Sequence, residues 1–428
     1  MTKPQMTKPS KLQAKQILRR MGETGQPPER GARFVNVGTA ELLEVLREEY
    51  LATIRESGRF SAFKLVQAPY GGGKTHFLHC LRELAWDEGF VTALVSVSPK
   101  ECPFDDPVKI YQAVASRLES PPATPDEASD WGIDALLRAE LARRTGSAPE
   151  PEVRAWLEDE LSKARVDAHG LRRAAQLYML AVLDRDARTQ ALLSSYLRGE
   201  SVGLDELRDL GIRELLDSSS GFRFLRSLVQ LLRALEVPGV VLLFDEMDRV
   251  MSLSRGRVRA IGDNLRQMID HCGQASLPAL LWVYAVPPEF MTTVVPQYPA
   301  LDQRLKGAAA LSAVNPMAPV IDLDRLPIGP TSLLVQLGER LLELHQIVHR
   351  GSLDRAIQLE NLGQLARELG ERQLESGTRR TFVKSAIQLL SEQQRGGQSL
   401  LNNQDVQRYA QGPTAPAPAP LAGESLIL

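Results

Sequence analysis

Apolar positions along this chain form short uniform runs that alternate with longer stretches of helical spacing. Short runs rich in β-branched residues predict strands, and apolar residues three and four positions apart predict amphipathic helices. Helical stretches separate the strands, which is typical of a parallel sheet covered on both faces. We therefore predict an α/β fold with a five-stranded parallel sheet and a ligand at the carboxyl ends of its strands. The predicted strands are 62–67, 91–96, 240–245, 279–286 and 320–323.

The stretch between the second and third strands is almost wholly helical in pattern, over residues 111–235. A compact parallel-sheet domain needs far fewer residues there, so we predict an inserted helical subdomain. Its charges are mixed in sign, which favours self-packing or a protein partner over a nucleic-acid surface. The other predicted parts are a basic arm with a helix at 1–30, a core at 31–330, a helical lid at 331–410 and a disordered Pro- and Ala-rich tail at 411–428.

Composition narrows the class of protein. The 428 residues are 43% hydrophobic and carry a net charge of −2, so a large core is expected and global attraction to nucleic acid or membrane is not. Cys80, Cys102 and Cys272 are isolated and have no disulfide or zinc spacing. We find no signal-peptide pattern and no apolar run of membrane-spanning length. A cytoplasmic protein without a membrane partner is expected.

Two clusters of basic residues stand out in this chain of nearly neutral net charge. Residues 1–20 contain six lysines and arginines and no acidic residue. They form either a solvated arm or a contact for nucleic acid or for a partner's acidic face. Arg255, Arg257 and Arg259 follow the third strand. They mark either a solvated helix start or a channel lining that touches the phosphate backbone.

One histidine pair has the spacing of a zinc-binding helix. His345 and His349 are four residues apart, but Gln346 stands where a metalloprotease helix has its glutamate. We therefore predict no metal site there.

A glycine-rich turn joins the first predicted strand to a predicted helix. Residues 67–77 read Gln-Ala-Pro-Tyr-Gly-Gly-Gly-Lys-Thr-His-Phe. Glycines let backbone N–H groups close on phosphate oxygens, and the helix N-terminus adds partial positive charge. Lys74 would reach the β and γ phosphates, and Thr75 would bind magnesium. The predicted nucleotide contacts in this loop are Pro69, Tyr70, Gly71, Gly72, Gly73, Lys74, Thr75 and His76.

Ala68 stands where the phosphate-loop pattern has its first glycine. Alanine costs little if the backbone there keeps a negative φ, so the loop can still form. Gly38 is a further candidate contact, because it ends the segment 34–38 ahead of a helical repeat and could approach the adenine.

Two carboxylates end the apolar run of the third strand, Asp245 and Glu246. At the end of a buried strand a bare charge is expensive unless a cation is present. Asp245 is the predicted magnesium ligand and Glu246 the predicted base for a hydrolytic water. Together with the loop, the pair predicts that the chain binds and hydrolyses ATP with Mg²⁺.

The phosphate loop, the Asp-Glu pair, the five strands and the helical lid together resemble the AAA+ ATPases. The order of landmarks also resembles the BrxD family of BREX (phage exclusion) ATP-binding proteins. This resemblance implies a homo-oligomer of a bacterial phage-defence system that couples ATP turnover to DNA or to a helicase or other defence protein. The segments that carry it are 17–20, 34–38, 67–77, 243–246, 298–305 and 379–384.

The resemblance implies roles for two arginines. Arg304 is at the place of the residue that reaches the γ-phosphate of a neighbouring subunit. Arg380, in the predicted lid, is at the place of the arginine that senses the same phosphate within its own subunit. The fourth strand of AAA+ proteins usually ends in a small polar residue that orients the attacking water. Here the strand end offers only Tyr284.

Three interpretations of function stay open. The first is an ATPase that acts on DNA with little sequence preference or through a partner. The second is a nucleotide-gated scaffold or switch with slow or no turnover, which Ala68 and the missing polar residue favour. The third is a helicase-loader or initiator-type AAA+ ATPase, although the residues after the last strand lack the strand pair that a winged DNA-binding module requires.

Overall fold

The computed structural model describes residues 8–98, 102–124, 130–246, 255–274, 276–305, 309–370 and 377–412. Lys3 of the basic arm and the predicted disordered tail beyond residue 412 lie outside these ranges. The chain divides into two compact units. We call Gly38–Leu326 the sheet unit, and Met1–Val37 together with Pro327–Leu428 the helical unit. The domain boundaries predicted from sequence are a finer division and stay predictions.

A six-stranded sheet runs through the sheet unit in the spatial order β3-β2-β4-β5-β1-β6. Every paired neighbour is parallel except β3, which is antiparallel to β2. The α/β fold is confirmed, and the five predicted strands lie within one residue of their observed bounds. The prediction of a five-stranded sheet missed the two-residue strand β3. The strands are β1 Ser61–Gln67, β2 Val91–Ser96, β3 Leu118–Glu119, β4 Val240–Asp245, β5 Leu280–Val286 and β6 Val320–Asp322.

Helices make up most of the remaining described chain, and none of those described is long and apolar enough to cross a membrane. In chain order they are α1 Lys11–Thr24, α2 Ala40–Val45, α3 Ala52–Ser57, α4 Lys74–Asp87, α5 Pro107–Arg117, α6 Ile133–Ser147, α7 Glu150–Trp156, α8 His169–Leu183, α9 Ala187–Leu197, α10 Leu204–Asp209, α11 Gly221–Ala234, α12 Arg255–Gly273, α13 Pro299–Leu305, α14 Pro330–His349, α15 Arg355–Gly370, α16 Thr378–Gly396 and α17 Asn403–Ala410.

Two apolar clusters cover the opposite faces of the sheet. Phe63 and Leu65 of β1 belong to one cluster, and Ala62 and Val66 belong to the other, because successive side chains of a strand point to opposite faces. The second cluster joins the sheet to α2, α3 and α4. The first joins the sheet to α5, α12 and the helices α6 to α11. The predicted insertion therefore shares one core with the strands.

Helix α1 packs against α14 and α16 in the helical unit. It starts after Ser10, whose hydroxyl accepts a hydrogen bond from the backbone N–H of Gln13, and it ends at Gly25 in the left-handed conformation. From Lys11 onward the basic arm is thus a docked helix, with the lysines on its exposed side. Its buried side chains are Gln13, Ala14, Ile17, Leu18 and Met21.

Candidate nucleotide-binding site

The loop between β1 and α4 needs its three glycines. Gly71 and Gly73 have φ values of 76° and 98°, in the left-handed region that favours glycine. A Cβ added at Gly72 would lie 2.8 Å from the Cβ of Ala68 and 2.9 Å from the carbonyl oxygen of Pro69. The backbone therefore turns tightly, and the loop ends at the first turn of α4.

Ala68 fits the position where the loop pattern has a glycine. Its side chain is fully buried, and its backbone N–H donates to the carbonyl of Val286 on β5. The φ of Ala68 is not positive, so alanine brings no left-handed backbone strain here. The described non-glycine residues with positive φ are Arg185, Glu236, Glu246, Ala279 and Arg350.

Lys74 lies inside the curve of the loop. Its ammonium donates hydrogen bonds to the carbonyl oxygens of Ala68 and Pro69, at 2.8 and 3.2 Å, and the residue is only 6% exposed. Tyr70 at the tip of the loop is 60% exposed. Thr75 follows in the first turn of α4 and is half-buried. The loop thus holds a cation beside its own backbone amides.

His76 follows Thr75 on α4. Its Nε2 atom lies 3.5 Å from the Sγ atom of Cys80, one helical turn further on. Cys80 is buried, as are Cys102 and Cys272, and all three are free thiols. His76 is therefore in polar contact with the next turn of α4.

Asp245 and Glu246 form a closed turn at the end of β4. Asp245 is 5% exposed, and its Oδ1 atom accepts a hydrogen bond of 2.8 Å from the backbone N–H of Glu246. Glu246 has a φ of 62°, a conformation that costs a non-glycine residue about 1–2 kcal/mol. Strained backbone of this kind clusters at functional sites. The surrounding structure therefore holds the backbone of Glu246 in a conformation that a non-glycine residue rarely adopts by itself.

The loop and the Asp-Glu pair lie at the same edge of the sheet. Strands β1 and β4 are parallel, with β5 between them, so both motifs follow carboxyl ends of strands. A helix N-terminus with a lysine suits phosphate, and a hydroxyl with a carboxylate supplies oxygen ligands that suit Mg²⁺. The donor set of Lys74, Thr75 and Asp245 therefore fits a magnesium-bound nucleoside triphosphate.

Tyr284 does not bring a polar group to this edge. Its ring packs against Phe104 and Phe244, with centroids 4.8 and 5.0 Å apart. Burial raises the pKa of its hydroxyl, which finds no hydrogen-bond partner within the described part of the chain. The residues that end β5, Ala285 and Val286, are apolar. The fourth parallel strand thus ends without the expected water-orienting side chain.

Arg304 is held by an acidic residue that the sequence did not reveal. Its Nη2 atom lies 2.5 Å from Oδ1 of Asp270 on α12, and 39% of its side chain is exposed. Asp270 also lies 3.6 Å from Arg266, one turn earlier on the same helix. Nothing in the spacing of the chain connects positions 270 and 304.

Gly38 and Arg380 lie in different units. Gly38 has a φ of 80° and comes just before α2, which packs against α4. Arg380 lies in the first turn of α16, where its backbone N–H donates to the carbonyl of Gly377. Their roles at the adenine and at the γ-phosphate stay predictions.

Of the three arginines after β4, Arg257 already has an acidic partner. Its guanidinium donates two hydrogen bonds to the carboxylate of Asp105, at 2.8 and 2.9 Å, and this contact lowers the pKa of Asp105. Asn264 donates to a backbone carbonyl of the same segment. Helix α12 is thereby fixed to the chain that follows β2. Arg259 is exposed, and the side chain of Arg255 lies outside the described residues.

The histidine pair on α14 is part of the packing. His345 is 3% exposed and its ring stacks on His349, with centroids 4.3 Å apart. Burial, with a smaller effect of the neighbouring imidazole, lowers the pKa of His345 to about 4. Within the described ranges, no group of three or more His, Cys, Asp or Glu side chains is arranged to hold a metal ion.

The phosphate loop after β1 and the Asp-Glu pair after β4, at one edge of a mostly parallel sheet, define a P-loop nucleotide-binding protein. The profile of the family described as "BREX system ATP-binding protein BrxC/D" matches residues 10–402. The chain belongs to this family of BREX ATP-binding proteins.

Solved structures with some similarity include the Aeropyrum pernix ORC2 protein in ADPNP-ADP complexes, with 13% identity, TM-score 0.46 and coverage of 87% of this chain and 67% of that one. Its ADP form has 13% identity, TM-score 0.47 and coverage of 92% and 72%. Cdc6p from Pyrobaculum aerophilum has 14% identity, TM-score 0.40 and coverage of 87% and 66%. A search of curated proteins gave no significant match.

Proposed function

We propose that the chain is a magnesium-dependent ATPase of a bacterial phage-defence system. The observation that carries the proposal is the position of Glu246. It directly follows the buried Asp245, in a strained turn at the sheet edge that also bears the phosphate loop. A carboxylate at that place suits the activation of a hydrolytic water.

In this mechanism Lys74 and the backbone amides of the loop bind the β and γ phosphates. Thr75 and Asp245 would hold magnesium, which would supply positive charge to neutralise the charge that builds up on the phosphates. The carboxylate of Glu246 accepts a proton from water as the water oxygen bonds to the γ-phosphorus and the bond to the bridging oxygen breaks. Arg304 of a neighbouring copy stabilises the added negative charge, and Arg380 contacts the γ-phosphate within the same chain.

We further propose a cytoplasmic homo-oligomer that works with a helicase or another protein of the defence system. The predicted lid at 331–410 would respond to the bound nucleotide. Weak binding of DNA without sequence preference is proposed through exposed lysines of α1. The helices α6 to α11, with charges of both signs, are the proposed surface for a protein partner.

The test is Glu246→Gln in the purified chain. The amide keeps the shape of the side chain but cannot accept the proton, so ATP affinity should stay the same and turnover should be abolished. Glu152→Gln, which alters an exposed glutamate of α7, is the matched control and should leave turnover unchanged. Turnover of Glu246→Gln at the wild-type rate would remove this residue from the mechanism.

A nucleotide-gated switch is the second candidate, and one observation favours it. Strand β5 ends in apolar residues, and Tyr284 is buried among aromatic rings, so no side chain of that strand orients water. A switch predicts ATP binding with turnover below about 10⁻³ s⁻¹, which is the range of unassisted GTPases. Steady-state phosphate release from the wild-type chain separates the two candidates.

A further inference from the structure

The contact between Arg304 and Asp270 joins two helices of the sheet unit. Arg304 lies in the last turn of α13, a helix of seven residues. Asp270 lies near the end of α12, a helix of 19 residues. An arginine side chain has many rotamers, and a guanidinium paired with a carboxylate keeps only those that preserve the contact. The pair therefore fixes the direction in which Arg304 leaves α13.

Helix α12 is itself a firm support for Asp270. The double hydrogen bond between Arg257 and Asp105 fixes its first half to the segment after β2. In its middle, a Cβ added at Gly262 would lie 2.4 Å from the ring of Tyr298, the residue before α13. Helices α12 and α13 are thus in close contact at one end and joined by the ion pair at the other.

Arg304 stays accessible from outside the chain while it contacts Asp270. Asp270 lies between two guanidinium groups, those of Arg266 and Arg304. One carboxylate thus interacts with two cations. The side chain of Arg304 is 39% exposed in this contact.

We infer that Asp270 is a positioning residue for Arg304, and this inference rests on the proposed action of Arg304 on a neighbouring subunit. Asp270 touches no substrate. It holds the guanidinium in the orientation that meets the neighbour's γ-phosphate, so binding does not have to order a mobile side chain. Helix α12 begins a few residues after Glu246 in the chain and carries Asp270 near its end. It therefore connects the proposed base of its own subunit's site with the arginine that acts on the neighbouring subunit's site.

A double-mutant cycle tests this inference. The four proteins are the wild type, Arg304→Ala, Asp270→Ala and the double variant. Misplacing Arg304 should lower turnover by up to about 10²-fold in Asp270→Ala while ATP affinity stays unchanged. The double variant should be no slower than Arg304→Ala alone, because Asp270 then has nothing to position.

Conservative variants keep the test informative if Asp270→Ala folds poorly. Asp270→Glu should recover part of the lost turnover, because it restores the charge, and Asp270→Asn should recover less. Asp263→Ala removes an exposed carboxylate from the same helix and should behave as the wild type. Thermal melting of each variant shows whether a loss of turnover comes from misplacement of Arg304 or from unfolding of the protein.

The outcomes also separate this inference from the proposed ATPase activity. Wild-type turnover in Asp270→Ala, or losses that add in the double variant, would overturn the positioning role. Assembly with a non-hydrolysable ATP analogue, followed by sedimentation, needs no turnover. If the wild type does not hydrolyse ATP, equal weakening of that assembly by Arg304→Ala, Asp270→Ala and the double variant still supports the inference. Unweakened assembly contradicts it.

Discussion

The side-chain ammonium of Lys74 lies 2.8 Å from the carbonyl oxygen of Ala68, the residue that replaces the first glycine of the phosphate-loop pattern. The lysine is therefore held by the strand end from which the loop departs. Because Ala68 is buried against β5, this contact ties the position of the cation to the sheet. A loop anchored in this way keeps its charge in place for a phosphate group.

We expect Lys74→Ala to weaken ATP binding about 10- to 100-fold, because hydrogen bonds from a charged group contribute roughly 1.5–3 kcal/mol. Titration calorimetry with ATP measures the change. Lys109→Ala, at an exposed lysine of α5, is the control. An unchanged affinity in Lys74→Ala would show that the lysine does not contact the nucleotide.

Gly72→Ala should impair the loop by crowding its backbone, without removing a polar side chain. The added Cβ would lie 2.8 Å from the Cβ of Ala68, and overpacking of this kind costs about 1–3 kcal/mol. If this cost falls on the bound state, ATP affinity should drop about 5- to 150-fold. Gly146→Ala in α6 meets nothing within 4 Å and should bind ATP as the wild type does. Normal binding by Gly72→Ala would mean that the loop rearranges freely.

Arg304→Ala should lower turnover by on the order of 10³-fold with little change in ATP affinity, since in the proposed mechanism its charge acts on the transition state. Mixing this variant with Glu246→Gln should restore part of the activity. A mixed interface can pair an intact base from one chain with an intact arginine from the other. If proven mixed assemblies stay inactive, Arg304 does not act between subunits.

Charge on helix α1 should control DNA binding. Deleting residues 1–20 would remove buried Ile17 along with the charges, so charge substitutions are the cleaner change. Lys11→Gln with Lys15→Gln should lower the log–log salt slope of DNA binding by about 1.5, because each lost phosphate contact accounts for roughly 0.7–0.9. Lys109→Gln is the control. A slope that does not change would exclude α1 as the contact.

Lys64 should make stability depend on pH. It is 2% exposed, donates to Tyr50 and to the carbonyl of Ala318, and pairs with no carboxylate of the described chain. Burial lowers its pKa from 10.5 to about 7. Between these values the unfolded chain binds more protons, so this group adds stability as the pH rises from about 7 towards 10.5.

Lys64→Met removes that titration. The variant should gain stability relative to the wild type at pH 6–7, and the gain should shrink above pH 7 by up to about 1.4 kcal/mol per pH unit. Urea unfolding at pH 6, 7.5 and 9 measures the difference. Lys109→Met, at an exposed lysine, should show no such trend. A difference that is independent of pH would mean that Lys64 is charged at all of these values.

The sequence predicted the main strands closely, because β4 and β5 are apolar along their whole length and differ plainly from the helical spacing around them. Strand β3 was not predicted, because Leu118 and Glu119 directly follow a helix and two residues are too few to show an alternating pattern. It pairs with β2 through Thr92 and Ala93, a long-range contact that no local pattern encodes.

The candidate site was predictable where the chemistry is local. The residues of the loop and the Asp-Glu pair are each contiguous, and their types alone indicate phosphate and magnesium. The partners Asp270 of Arg304 and Asp105 of Arg257 are 34 and 152 positions away. Only the packing of α12 brings them together, so a single sequence contains no sign of them.

The buried side chains of helices α6 to α11 lie in one apolar cluster with those of β2, β4 and β5. A deletion in this region would therefore expose the apolar side chains of α5 on which α11 packs, and the helices could not be removed as a surface loop can. A partner bound to these helices would act on the sheet through α5, which packs against both α11 and β2.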